Sequence, residues 1–218
     1  MKSFLLLLVL TITKGYGQIE VELYFKDDCD NSIRRLEYQM FNLDKPGSHF
    51  ESSNSKVRVP SKGSYLISSS YSNGNKVSTF DLKLEITDFQ FLVDTLSIPR
   101  IKFTTKDDMQ STEWNYFNCG HLCNGDEIDF YPNGQKRMEG DFREGKPVRL
   151  VEYRENGTKE RVIWYKIGYL EYERIEYFDK TGKLTAYATF RKESNEIIKR
   201  VYDSKGTLQN REVLNQNN

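Results

Sequence analysis

Apolar and polar residues alternate along much of the N-terminal half of the chain. Ile19, Val21, Leu23 and Phe25 are separated by Glu20, Glu22 and Tyr24. Leu36, Tyr38 and Met40 repeat the pattern, Val57 and Val59 form a shorter piece, and the segment from Tyr65 to Tyr71 follows the breaker "PSKG". Phe80, Leu82, Leu84 and Ile86 alternate cleanly; then come Phe89, Phe91 and Val93, and finally Ile98, Ile101 and Phe103. A period of two sends successive side chains to opposite faces, so each run predicts a strand with one buried face. "DDCDN", "DKPG", "PSKG" and "SNGN" divide the runs with turn-forming residues. About seven short strands in residues 18–104 predict a small antiparallel β-sandwich.

The stretch "TKDDMQSTEWNYFNCGHLCNGDE" from Thr105 is polar, carries two cysteines and has no clear period. Residues 105–124 are therefore expected to be a linker and cap. A different order begins beyond them. Gly134, Gly157, Gly182 and Gly206 stand 23, 25 and 24 residues apart. An aromatic residue precedes each by four positions (Phe130, Tyr153, Phe178, Tyr202), and an apolar residue follows each by eight (Phe142, Tyr165, Phe190, Leu214). A fixed period of this size marks a repeat architecture. The unit it predicts is a strand, a tight turn at a glycine with positive φ, and a returning strand. Asn133-Gly134 favours a two-residue hairpin turn. One hairpin is marginal in water, so consecutive hairpins must cover each other's edges and aromatics. Residues 125–214 are thus expected to form an elongated antiparallel meander of about four hairpins. A short polar tail follows at 215–218.

"YPNGQKRMEGDFREGK", Tyr131 to Lys146, resembles the MORN-repeat variant family of bacterial proteins, which includes antitoxin-type members. "YRENGTKE", "YFDKTGKL" and "VYDSKGTL" are eroded copies. The motif's second glycine, Gly140, gives way to Ile163, Ala188 and Glu212, and its third, Gly145, recurs only as Gly168. The resemblance implies stacked β-hairpins and, through the antitoxin-type members, a role in neutralising a toxin. "VPSKGSYLI", Val59 to Ile67, resembles the corner of the transthyretin-like, carboxypeptidase-regulatory β-sandwich family, although the preceding "FKDDCDNSI" lacks that family's usual Gly and Pro.

The first residues change the setting. "MKSFLLLLVLTITKGYGQ" has a basic start, an apolar run from Phe4 to Ile12, and small residues at Gly15 and Gly17. Residues 1–17 read as a signal peptide cut before Gln18. The run is too short to cross a bilayer, and no later stretch reads as a transmembrane helix. The protein is expected to be exported, either periplasmic or secreted. The leader argues against the cytoplasmic antitoxin role. The chain has 32 basic and 32 acidic residues; without Lys2 and Lys14, 30 basic residues face 32 acidic ones. That balance gives no basis for nucleic-acid binding. A content of 13% aromatic residues excludes a disordered chain.

Export implies an oxidising compartment for Cys29, Cys119 and Cys123. The favoured pairing is Cys119–Cys123, with Cys29 free; the alternative is a bridge from Cys29 to either one, tying the two halves together. Cys119, His121 and Cys123 would need a fourth ligand to hold zinc, and none is evident. His49 and His121 are the only histidines, and no serine has a nucleophile-elbow context. Asp126 with Asp129, or Glu171 with Glu173, could serve as acid and base, but in so acidic a chain such pairs are ordinarily solvated strand positions. No cofactor is expected. Tyr131, Tyr153, Trp164, Tyr165 and Tyr177, with Tyr172 and Phe178, could line a binding face or simply pack the thin sheet. The expected role is a non-enzymatic interaction module at the cell envelope. A protein is the first-choice partner, and a surface glycan, bound or acted upon, is the alternative.

Overall fold

A computed structural model describes residues 18–73, 75–88, 91–106, 114–166, 171–193 and 196–214. The expected signal peptide, the tail at 215–218, Phe89 and Gly168 lie outside the described residues. Among those described, all helix and strand structure is β.

In chain order the N-terminal strands are β1 (Ile19–Asp27), β2 (Ile33–Arg34), β3 (Tyr38–Asn42), β4 (His49–Glu51), β5 (Lys56–Val59), β6 (Gly63–Asn73), β7 (Lys76–Ile86), β8 (Leu92–Ile98), β9 (Ile101–Lys106), β10 (Trp114–Asn118) and β11 (His121–Leu122). They form two sheets. In the first, β1 pairs antiparallel with β5 and β2, one toward each of its ends, and parallel with β8. The second is antiparallel in the order β11-β10-β9-β7-β6-β3-β4. The inward face of β1 places Ile19, Val21, Leu23 and Phe25 against Tyr38, Met40, Tyr65, Ile67, Phe80, Leu84 and Ile86. Phe25 meets Tyr38 and Phe80 edge-on, with ring centroids 5.7 and 5.6 Å apart. Each such side chain contributes roughly 1.5–3 kcal/mol by leaving water. At the "PSKG" corner the buried Tyr65 hydroxyl donates to the Ser61 carbonyl at 2.7 Å.

Three expectations are corrected here. The sandwich is not wholly antiparallel: β7 belongs to the second sheet, and the next strand, β8, lies in the first alongside β1 in the same direction. Alternation reports which face is buried, not strand direction. The run expected at Phe89, Phe91 and Val93 begins at Leu92, with Phe91 and Val93 about half exposed; Leu92, Leu96 and Ile98 face the core instead. Residues 105–124 are also more than a linker. β10 pairs with β9, and β11 closes the edge of the second sheet. All five β10 residues are half-buried, so both its faces carry apolar groups and no alternation shows.

The C-terminal strands are β12 (Gly125–Phe130), β13 (Lys136–Arg143), β14 (Lys146–Tyr153), β15 (Lys159–Tyr165), β16 (Tyr172–Phe178), β17 (Leu184–Glu193), β18 (Glu196–Asp203) and β19 (Leu208–Leu214). They form one eight-stranded antiparallel meander in sequence order, with no closure into a barrel. Gly134, Gly157, Gly182 and Gly206 all have φ between 79° and 87°. The four turns share one bonding scheme. In the first, Gly134 N donates to Tyr131 O and Tyr131 N to Gln135 O; the others repeat it from Arg154, Asp179 and Asp203.

This is a longer loop than the two-residue turn that Asn133-Gly134 suggests. A two-residue turn would pair Pro132 with Gln135, and Pro132 has no N–H to give. The loop therefore closes at Tyr131, and only the glycine is left-handed, as in hairpins with a bulge after the turn. Asx bonds support it in two ways: Asn133 and Asn156 accept from the residue two ahead, whereas Asp179 and Asp203 accept from residues two and four ahead. Each hairpin also shifts register beside the turn, leaving Arg137, Glu160, Thr185 and Gln209 unpaired three residues after the glycine.

The two halves pack through a second core of Ile101, Cys123, Phe142, Leu150, Ile163, Tyr165 and Ile175, flanked by Tyr116 and Met138. Tyr116 N donates to Gly145 O, and Gly145 N to Cys123 O, both at 2.8 Å. A Cβ on Gly145 would stand 2.7 Å from both Asn115 Cβ and Leu122 Cδ1. This docking explains why the full glycine motif occurs once. Gly145 is required where the first hairpin meets β10 and β11, and Gly140 leaves room for the Leu150 and Phe142 side chains beneath them. In the later copies the counterparts of Gly140 are Ile163, Ala188 and Glu212.

Candidate binding surface

Residues paired across strands share a face. On one face of the meander, Leu150, Ile163, Ile175 and Ala188 form a continuous row. Tyr116 and Ile101 of the N-terminal half cover its first strands. Beyond Tyr165 no other described part of the chain covers this apolar face. Tyr172, Tyr177, Phe190, Ile197 and Leu214 line a groove of about 380 Å³ rimmed by Lys166, Lys192 and Lys199. Tyr172 stands between Tyr165 and Phe190, at centroid distances of 5.4 and 5.5 Å. Lys166 pairs with Glu171 at 2.6 Å, and Lys199 with Glu212 at 2.9 Å.

The opposite face is cationic and aromatic. Asp141, Arg149, Trp164, Arg174, Thr189, Arg200 and Arg211 lie side by side across seven strands. The guanidinium groups of Arg149 and Arg174 lie 6.0 and 5.9 Å from the Trp164 ring. Arg174 also sits 4.3 Å over Tyr187, which stacks on Tyr202. Glu176 and Glu193 neutralise Arg174 and Arg200.

The aromatics singled out from sequence are therefore not one surface. Tyr165 is buried in the joint core, and Tyr177 borders both core and groove. Trp164 is on the other face. Tyr131 and Tyr153 belong to the turn edge: the Tyr131 hydroxyl donates to Tyr153 O at 2.8 Å, and the Tyr153 hydroxyl to Glu139 at 2.6 Å. Burial pushes the Tyr131 phenol up to about 12, with Arg137 opposing; burial and then the Glu139 bond push Tyr153 up to about 12. Phe190, Ile197 and Leu214 were missed because their groove forms only once neighbouring hairpins pair. The apolar position eight residues after each turn glycine marks Phe190 and Leu214, and was the available signal.

The disulfide joins Cys29 to Cys119, not Cys119 to Cys123. Cys119 and Gly120, both at positive φ, make the two-residue turn between β10 and β11. That turn presents Cys119 to the loop after β1, whereas Cys123 is wholly buried in the joint core. Burial first, then Glu127, pushes the Cys123 thiol up to about 12, so it is a poor nucleophile. His121 is exposed on β11, apart from the buried Cys123 side chain. The bridge staples the two sandwich sheets together at the end that meets the meander.

A buried charge cluster lies beneath it. Asp27 accepts from Lys102 Nζ at 3.1 Å, from the Tyr71 hydroxyl at 2.9 Å and from Cys29 N at 3.0 Å. Burial opposes ionisation of Asp27, but these bonds outweigh it and hold the carboxyl below its usual range. Asp129 is fully buried and accepts from Arg100 N and Phe130 N. Its burial dominates and raises its pKa despite Arg137 3.5 Å away. Asp126 is exposed, so the two do not form a matched pair in a cleft. Glu171 is tied to Lys166, and Glu173 is exposed.

No family model and no curated protein matches the chain. A solved structure from Vibrio parahaemolyticus, described as an outer membrane lipoprotein-sorting protein domain, aligns over 94% of this chain and 88% of its own, at 8% identity and a TM-score of 0.23. A score that low establishes no common fold, and no feature is carried over from it. Among the described residues, no helix is long and apolar enough to cross a membrane.

Proposed function

We propose that this protein is an exported, non-enzymatic β-repeat module that binds a protein partner at the cell envelope through its MORN-like meander. The observation that carries this reading is the open continuation of the meander's apolar face, where Tyr172, Phe190, Ile197 and Leu214 form a groove that no other part of the described chain covers. Apolar surface gathered into a groove favours association, and aromatic side chains make effective anchors. The Cys29–Cys119 bridge supports export, since structural disulfides persist in oxidising compartments.

The test compares the mature chain with a Phe190→Asp/Ile197→Asp variant in pull-downs from envelope extract, with circular dichroism as the fold control. A partner retained by the wild type and lost by a folded variant is the expected result. The same retained proteins for both would rule the groove out.

A further inference from the structure

A second concavity lies where the two halves meet, and it differs in chemistry from the distal groove. Its volume is about 460 Å³, within the range of small-molecule sites, which are often found at domain junctions. Three segments build it. The end of β1 supplies Lys26 and Asp28, β8 and the turn after it supply Thr95, Ser97 and Arg100, and the first hairpin turn supplies Tyr131 and Pro132. Neither half forms it alone.

The polar groups are unevenly committed. Asp28 is held by the Ser97 hydroxyl and stands 3.8 Å from Arg137. Arg100 is anchored by its Nε to Cys119 Sγ at 3.4 Å and by its backbone N to Asp129. Neither its terminal guanidinium nitrogens nor Lys26 Nζ has an ion-pair or hydrogen-bond partner among the described residues. The lining therefore presents two unspent cations and one carboxylate already engaged by its neighbours. Arg137, outside the lining, is nine-tenths buried, with its Nη1 3.5 Å from Asp129 and its Nη2 3.8 Å from Asp28. Arg137 also supports the Tyr131 ring, 4.9 Å from its centroid, and the Tyr131 hydroxyl is tied to Tyr153 O. The ring and Pro132 make a fixed, flat, apolar wall.

We infer that this junction cleft binds a pyranose carrying a carboxylate, a uronic-acid-type sugar. Arg100 and Lys26 take the carboxylate as charge-assisted hydrogen-bond donors. The Tyr131–Pro132 wall takes the apolar C–H face of the ring, and Thr95 and Asp28 face its hydroxyls. Asp28 disfavours a doubly charged phosphate, and no glycine-rich loop is present to cradle one. The inference does not rest on the distal groove being a protein-binding surface.

Titration of the mature protein with glucuronate and galacturonate, followed by amide NMR shifts, tests it. Saturable binding with Kd on the order of 1 mM is expected, with glucose and acetate each at least about tenfold weaker. Arg100→Gln and Lys26→Gln, both at exposed positions, should each weaken uronate binding about tenfold. Acetate binding as tightly as uronate would reduce the site to a simple anion site and overturn the inference. So would tighter binding of glucose 6-phosphate, shifts indifferent to both cation variants, or no saturable shift with either uronate.

Discussion

The N-terminal sandwich and the C-terminal meander are both built from alternating strands, yet they hold together differently. In the sandwich, two sheets bury each other's inner faces, and Val21, Leu23, Phe25, Met40 and Ile67 are removed from solvent entirely. The meander is a single layer. Its first strands borrow a cover from β10 and β11, while β19 is exposed at all but one of its seven positions. Stability in the meander should thus decline with distance from the docking contact, as nearest-neighbour coupling in repeat proteins allows.

The largest expected contrast compares phenylalanines. Phe25→Ala should lower unfolding free energy by about 3–5 kcal/mol, since the ring is wholly enclosed. Phe190→Ala, at the half-buried edge of the groove, should cost under about 2 kcal/mol. Chemical denaturation of both variants measures the difference; equal losses would mean the distal meander is as well packed as the sandwich.

Breaking the staple comes next. Cys29→Ser should destabilise by about 2–5 kcal/mol, because the bridge spans a sequence separation of 90 residues. Thiol titration of the unfolded, non-reduced wild type should find one thiol, mapping to Cys123. A crosslinked peptide joining Cys119 to Cys123 would contradict the pairing.

Two glycine substitutions sharpen the docking claim. Gly145→Ala combines a positive φ with contact against Asn115 and Leu122 and should cost about 2–3 kcal/mol. Gly182→Ala has a similar φ but meets only Thr158 Cβ, at an ordinary contact distance of 3.8 Å, and should cost about 1–2 kcal/mol. Melting curves that rank them in the opposite order would place the contact elsewhere.

The smallest effect is electrostatic. Asp27 has a lowered pKa when folded, so its contribution is present above its unfolded value and is lost as pH falls through the acid range. Asp129 has a raised pKa, so its contribution is favourable below its unfolded value and is lost as pH rises through its folded value. Asp27→Asn should therefore flatten the loss of stability on acidification, and Asp129→Asn should steepen it. Urea denaturation between about pH 3 and pH 7 follows both, because unfolded aspartates titrate near 3.9.

Much of the fold was legible because its signals are local. Alternation located β1, β6 and β7, and the spacing of the turn glycines located all four hairpins. What stayed hidden depends on tertiary placement. β10 has no clean period because its faces are covered by different partners, and Cys29 meets Cys119 only because β1 and β10 end at the same rim. The turn type was obscured by reading Asn133-Gly134 without Pro132 in front of it. Of the expected binding aromatics, Tyr172 and Tyr177 line the distal groove and only Tyr131 lines the junction cleft, since the bulges and the docking sort the others onto different faces.

Native-state hydrogen exchange on the mature protein addresses the central claim most directly. Amides of β13 and β14 should be protected nearly as well as those of β1 and β6, with protection falling through β16 and β17 to its lowest in β19. Uniform protection out to β19 in the isolated monomer would contradict the account, as would exchange in β13 and β14 as fast as in β19.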